Sequence, residues 1–121
     1  MIIGVGLDLI AVERIDRLLA RHGDRFLSRC FSSDELVRPS DPEHLAGLLA
    51  AKEAAFKALL VPATSGIGWK DIAVIRGRDG LPRLRFQGRA QEQGARLGIN
   101  VSHVSITHHG GFAAAVVILE R

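Results

Sequence analysis

Sixteen residues near the middle of the chain, Leu45 to Leu60, read LAGLLAAKEAAFKALL and leave little choice of fold. Turned at about 100° per residue, they place Leu45, Leu48, Leu49, Phe56, Leu59 and Leu60 on one face, while Ala50, Ala51, Ala54, Ala55 and Ala58 fill most of the other. A helix that is apolar on nearly every side belongs in an interior, so the remaining elements must surround it. Its charges are Lys52, in the middle of the leucine face, and Glu53 and Lys57, together along the edge of that face. Charges taken out of water are costly unless they are paired or bind something. Two readings follow. Either Glu53 and Lys57 form an i,i+4 pair and Lys52 snorkels its ammonium outward, or the helix is the floor of a site.

The 121 residues suit one domain spanning residues 1–121, and the 47% hydrophobic and 24% charged content is that of a soluble globule. No apolar run approaches the ~20 residues of a membrane span, and the opening MIIGVGLDLI lacks the basic region and cleavage site of a signal peptide. A cytoplasmic protein with no membrane partner is expected. The single cysteine, Cys30, cannot close an internal disulfide and reads as a structural thiol. A net charge of +3 favours anionic partners without saying which.

Around the central helix the pattern predicts a strand over Ile2–Ile10, a helix over Ala11–Arg21 stopped by Gly23, and a short helix start at Ser33-Asp34-Glu35-Leu36. The central helix itself should run from near Glu43 to Val61-Pro62, followed by a loop of small residues from Ala63 to Gly68. Trp69–Arg76 and Leu81–Phe86 read as a hairpin turned by Gly77-Arg78-Asp79-Gly80. A short helix over Arg89–Leu97 should follow, then strands Ile99–Thr107 and Phe112–Leu119, linked through His108-His109-Gly110-Gly111. The last strand, apolar on both faces, belongs in the middle of its sheet. The fold class expected is α+β, a mainly antiparallel sheet packed by the long buried helix.

Asp8 shares a strand face with Gly4 and Gly6, which suggests open space or a close approach; the acid could hold a cation there or cap the helix that follows. Asp8 and Glu53, distant in sequence, together suit Mg²⁺, which takes one or two protein carboxylates and completes its shell with waters and substrate phosphates. Arg14, Arg17 and Arg21 line one face of the first helix, either a solvated surface or a dock for an acidic partner, with Arg25 and Arg29 near by. His103, His108 and His109 lack the spacing and partners of a zinc site. The chain has no P-loop, no G-x-S-x-G, no complete dinucleotide fingerprint, and none of the interleaved aromatic and basic residues of an RNA-recognition sheet, so nucleic acid is not the expected partner.

The stretches GVGLDLIAVERI, RFLSRCFSSDE, AAKEAAFKAL, GIGWKDIAV, GLPRLRFQG and HVSITHHGGFAAAVVILE, in that order, resemble the holo-acyl-carrier-protein synthases, the short bacterial type of 4′-phosphopantetheinyl transferase. The resemblance covers nearly the whole chain. It implies transfer of the phosphopantetheine arm of coenzyme A to a serine of an apo acyl carrier protein, releasing adenosine 3′,5′-bisphosphate, in a cytoplasmic homotrimer with each site between neighbouring subunits. It further implies that Asp8 and Glu53 hold Mg²⁺, that Lys52 and Lys57 neutralise phosphates, that His108 contacts coenzyme A, and that Arg14, Arg21, Arg25 and Phe26 face the acidic carrier. The serine proton would go to Glu53 or to a water held by the ion. One stretch departs from the family: where a G-T-G turn usually receives the nucleotide end of coenzyme A, this chain runs Leu60-Val61-Pro62-Ala63-Thr64-Ser65, and Pro62 has no N–H to offer. A non-catalytic basic module, binding an acidic protein or nucleic acid through Arg14, Arg17 and Arg21 without Mg²⁺, is the competing expectation.

Overall fold

In the computed structural model, which describes residues 1–62 and 66–121, strand β1 (Ile2–Ala11) leads into helices α1 (Val12–His22) and α2 (Asp24–Cys30). A 3-10 turn at Ser33–Glu35 precedes the central helix α3 (Pro42–Ala58); a second at Trp69–Asp71 precedes the hairpin β2 (Ile72–Arg76) and β3 (Pro82–Phe86). Helix α4 (Gly88–Leu97) and the hairpin β4 (Val101–His109) and β5 (Phe112–Glu120) complete the chain. Ala63, Thr64 and Ser65, part of the expected small-residue loop and of the departure from the family, lie outside the described residues.

The α+β expectation holds, with the strands divided between two antiparallel sheets: β1-β5-β4, with β5 in the middle as its two-sided apolar pattern required, and the separate pair β2-β3. Helix α3 lies across the larger sheet. Asp41 caps it, its side chain accepting from the Glu43 and His44 amides at 3.1 and 3.3 Å. Leu45, Ala46, Leu48 to Ala51, Ala54, Ala55 and Ala58 are all buried. Opposite them, β5 buries Ala113, Ala115, Val117 and Leu119.

Gly4 and Gly6 set how closely these layers meet. A Cβ on either would overlap a carbonyl oxygen of α3, that of Ala58 or of Ala54. Of the two alternatives the glycines left, open space or a close approach, the structure has the close approach: backbone of α3 fills the glycine side of Asp8. That contact draws the end of β1 against the edge of α3.

Other boundaries moved for local reasons. Residues Asp24–Cys30 form α2, for which the pattern predicted no element. Helix α3 stops at Ala58, short of Pro62, because Leu60 turns into the left-handed region at φ 57°. His108 and His109 belong to β4, since Gly110 and Gly111, at φ 59° and 83°, close the hairpin alone. Asp8 caps nothing: α1 begins after Ala11 without a side-chain cap.

Candidate active site

Asp8, near the end of β1, faces Glu53 and Lys57 on the edge of α3. Lys57 donates from Nζ to the Leu7 carbonyl at 2.8 Å and to Asp8 Oδ1 at 3.1 Å. It is thus turned toward β1, and the i,i+4 pair with Glu53 expected from spacing is not the contact formed. Arg14, from the first turns of α1, brings Nη2 to 3.8 Å from Glu53 Oε1. Three elements, β1, α1 and α3, separated by up to about fifty residues, thus meet at two carboxyl groups.

The electrostatics of the pair are unusual for a protein surface. Burial, followed by the hydrogen-bonding and like-charge influence of Asp8, raises the Glu53 pKa from 4.5 to about 7, against the opposing pull of Arg14 and Lys57. Asp8 is 12% exposed, and its Oδ2 is buried with no hydrogen-bond partner. Two acids crowded together, one with an orphaned oxygen, hold either a proton or a cation. No cluster of three or more His, Cys, Asp or Glu ligands is present among the described residues. The donor set therefore fits a hard divalent ion that draws its remaining ligands from water and substrate, as Mg²⁺ does.

Lys52 does not join this group. Its side chain is fully buried and its Nζ donates to Glu35 Oε1 at 2.8 Å and to the carbonyls of Trp69 and Ile72 at 3.0 and 2.7 Å. Burial lowers its pKa while the hydrogen bond to Glu35 opposes that shift. The outward snorkel and the phosphate contact expected of it are both corrected: the ammonium points inward and its three N–H groups are already used. The sequence marks Glu35 only as part of a short helix start. Its side chain does accept from the Ser32 amide and hydroxyl, at 3.0 and 3.2 Å, but nothing in the spacing linked it to Lys52.

Two cavities that share Trp69 lie on this side of the molecule, one reaching Arg14 and the other Glu53. One, of about 650 Å³, is lined by Arg14, Leu18, Arg25, Phe26, Leu49 and Trp69 among others. The other, of about 410 Å³, is lined by Glu53, Phe56, Lys57, Val61, Ile67 and Trp69 among others. Arg14, Arg21 and Arg25 are exposed on α1 and α2. Phe26, expected beside them as a contact residue, is only 6% exposed and packs edge-on against Phe31 at 5.7 Å, so it forms the floor of the larger cavity rather than part of the basic surface. Cys30 is buried, and burial raises its thiol pKa, as befits a structural cysteine.

His108 lies elsewhere. Its Nδ1 is 3.2 Å from Glu43 Oε1 at the start of α3, ten residues before Glu53 and so about 15 Å away along the helix. His103 lies 3.4 Å from Glu120.

A family model described as the 4′-phosphopantetheinyl transferase superfamily matches residues 4–117. A holo-[acyl-carrier-protein] synthase from Maridesulfovibrio salexigens is 40% identical over an alignment of 124 positions that covers 100% of both chains. Among solved structures, the holo-[acyl-carrier-protein] synthase of Helicobacter pylori, in complex with coenzyme A, aligns with a TM-score of 0.86 and 30% identity over 96% of this chain and 99% of that one. The corresponding synthase of Neisseria meningitidis aligns with a TM-score of 0.89 and 27% identity over 100% of both.

Proposed function

The chain belongs to the 4′-phosphopantetheinyl transferase superfamily, and from that footing we propose that it acts as a holo-acyl-carrier-protein synthase. The substrates are coenzyme A and an apo acyl carrier protein. The carrier serine Oγ attacks the phosphorus that bears the pantetheine arm, the bond from that phosphorus to the bridging pyrophosphate oxygen breaks, and adenosine 3′,5′-bisphosphate leaves. The serine proton goes to a base in the site. The observation that carries this reading to particular residues is the Asp8–Glu53 pair with its orphaned Asp8 Oδ2.

Asp8 and Glu53 are the residues that would hold Mg²⁺. When bound, the ion supplies a Lewis acid and template for the pyrophosphate. Lys57, 58% exposed beside Asp8, adds positive charge where the leaving phosphate becomes more anionic, and it is preorganised by its bond to the Leu7 carbonyl. The serine proton would go to Glu53 or to a water in the site. Arg14, Arg21 and Arg25 offer an exposed basic face to an acidic carrier.

The assembly proposed is a cytoplasmic homotrimer serving fatty-acid synthesis. Its support is the outer face of the larger sheet, where the large apolar side chains Val5, Leu7, Leu9 and Phe112 stand 48–65% exposed, the kind of surface that a neighbouring subunit covers. The distance of His108 from Glu53 within one chain supports a coenzyme A site shared between subunits, with His108 serving the neighbour's acid pair. No helix among the described residues is long and apolar enough to cross a membrane.

The test is mass spectrometry of an apo acyl carrier protein incubated with coenzyme A, Mg²⁺ and this protein. A phosphopantetheine mass gain on serine is expected, and it should vanish with EDTA and with Asp8→Ala or Glu53→Ala. Full transfer by both variants would overturn the site; no transfer by the wild-type protein would overturn the activity.

A further inference from the structure

Lys52 has no part in that chemistry, although it adjoins Glu53 in α3. Its environment is nevertheless fully built. Nζ donates to Glu35 Oε1, the Trp69 carbonyl and the Ile72 carbonyl, and it lies 5.3 Å from the centre of the Phe31 ring. Glu35 in turn accepts through Oε1 from the Ser32 amide and hydroxyl and through Oε2 from the Val74 amide at 2.9 Å. Both side chains are completely buried. A well-packed apolar pair could stabilise the interior as well as such a buried ion pair does. What the apolar pair could not do is fix, through directional bonds, where the backbone of Trp69 stands.

That backbone matters because of where the indole lies. Trp69 meets Phe56 edge-on at 5.3 Å and 83°, a geometry that favours a defined ring position. Trp69 lines both the cavity shared with Arg14 and the cavity shared with Glu53 and Lys57. It is therefore the partition between them.

We propose that Lys52, together with Glu35, is a positioning residue: their buried ion pair pins the backbone of Trp69 to α3 and so holds the Phe56–Trp69 wall of the cleft that receives coenzyme A beside Glu53. The proposal rests on the transferase reading of that cleft. Lys52 touches no substrate; it acts through the wall.

The test compares wild type with the double variant Lys52→Met/Glu35→Leu and with Trp69→Leu. The double variant leaves no buried unpaired charge and should still unfold cooperatively. Its KM for coenzyme A should rise about tenfold, equivalent to about 1.4 kcal/mol, with a smaller change in kcat. Loss of folded protein alone would lower kcat per milligram and leave KM unmoved. Trp69 is the only tryptophan in the chain, so its fluorescence reports the wall directly, and acrylamide should quench it more strongly in the double variant. Wild-type KM and wild-type quenching there would overturn the proposal. Should the double variant not fold, Trp69→Leu with the ion pair intact carries the test: a comparable rise in KM is expected and an unchanged KM overturns it. Failure of the wild-type protein to form holo-carrier would instead overturn the transferase reading.

Discussion

Replacing Glu53 by glutamine should stabilise the metal-free protein at pH 8 and leave it nearly unchanged at pH 4. Burial and the facing Asp8 carboxyl raise the Glu53 pKa from 4.5 to about 7, so the folded chain retains a proton that the unfolded chain has released. The sign follows from linkage: the favourable contribution is fully present below pH 4.5 and is lost as pH rises through about 7. The interval corresponds to on the order of 3 kcal/mol. Since Glu53 is 23% exposed, screening by water brings the observable part to about 2 kcal/mol. Glutamine carries no charge at any of these pH values and keeps a donor for Asp8. The assay is urea unfolding of both proteins in EDTA at one protein concentration, across this pH range. Taking the difference between them cancels common groups such as His44, whose pKa burial lowers and whose contribution runs the other way. The difference should grow with pH to about 2 kcal/mol in favour of Glu53→Gln, and Mg²⁺ added at pH 8 should narrow it by binding the folded wild type. A difference that is flat with pH, or that grows in favour of the wild type, would refute the shared-carboxyl account of Glu53.

Gly6→Ala sets a methyl group against the Ala54 carbonyl; it should cost about 1–3 kcal/mol in urea unfolding and, by parting Asp8 from Glu53, lower kcat on the order of 100-fold, whereas a wild-type kcat would refute the close-approach argument. Leu9→Glu, at a position 64% exposed on the outer sheet face, should shift sedimentation from a trimer of 13.1 kDa chains to the single chain; an unchanged mass would show that this face is not the interface. Leu60→Gly relieves a left-handed leucine at φ 57° and should stabilise the chain by about 0.5–1 kcal/mol after the added unfolded-state entropy of glycine; destabilisation would mean that the leucine side chain holds the turn.

Much of the scaffold was legible because it rests on patterns with a clear period. The apolar girdle of α3, the two-sided apolarity of β5 and the glycine-rich turn between β2 and β3 each have a single comfortable structural solution. The acid pair was legible for a related reason: Asp8 and Glu53 are polar groups on otherwise apolar elements. What periodicity cannot supply is the identity of a partner across the fold. Glu35, 17 residues before Lys52, lies in a turn whose acids serve equally well as helix-start residues. Phe26 sits among arginines in sequence, yet α2, too short to show a strong period, rotates it into the core. The glycines beside Asp8 were ambiguous between open space and close approach, and only the path of α3 decides that.

Rotation about the α3 axis explains why neighbouring charges serve opposite ends. Ala54 and Ala58, four residues apart, form the row pressed against Gly6 and Gly4. Glu53 and Lys57 form the adjacent row, about 100° around, which brings them to the edge of β1 and to Asp8. Lys52 is about 200° from Ala54 and must point away from β1, toward the second 3-10 turn and β2, where only an interior acid can meet it. The order lysine then glutamate is therefore dictated by geometry and not by net charge. Exchanging the two would place a carboxylate against Glu35 and a lysine between Arg14 and Lys57, leaving like charges together in the core and at the site alike. The divalent site proposed on this helix depends on that order, because the alanine row that brings the acids together also sends the preceding lysine into the interior.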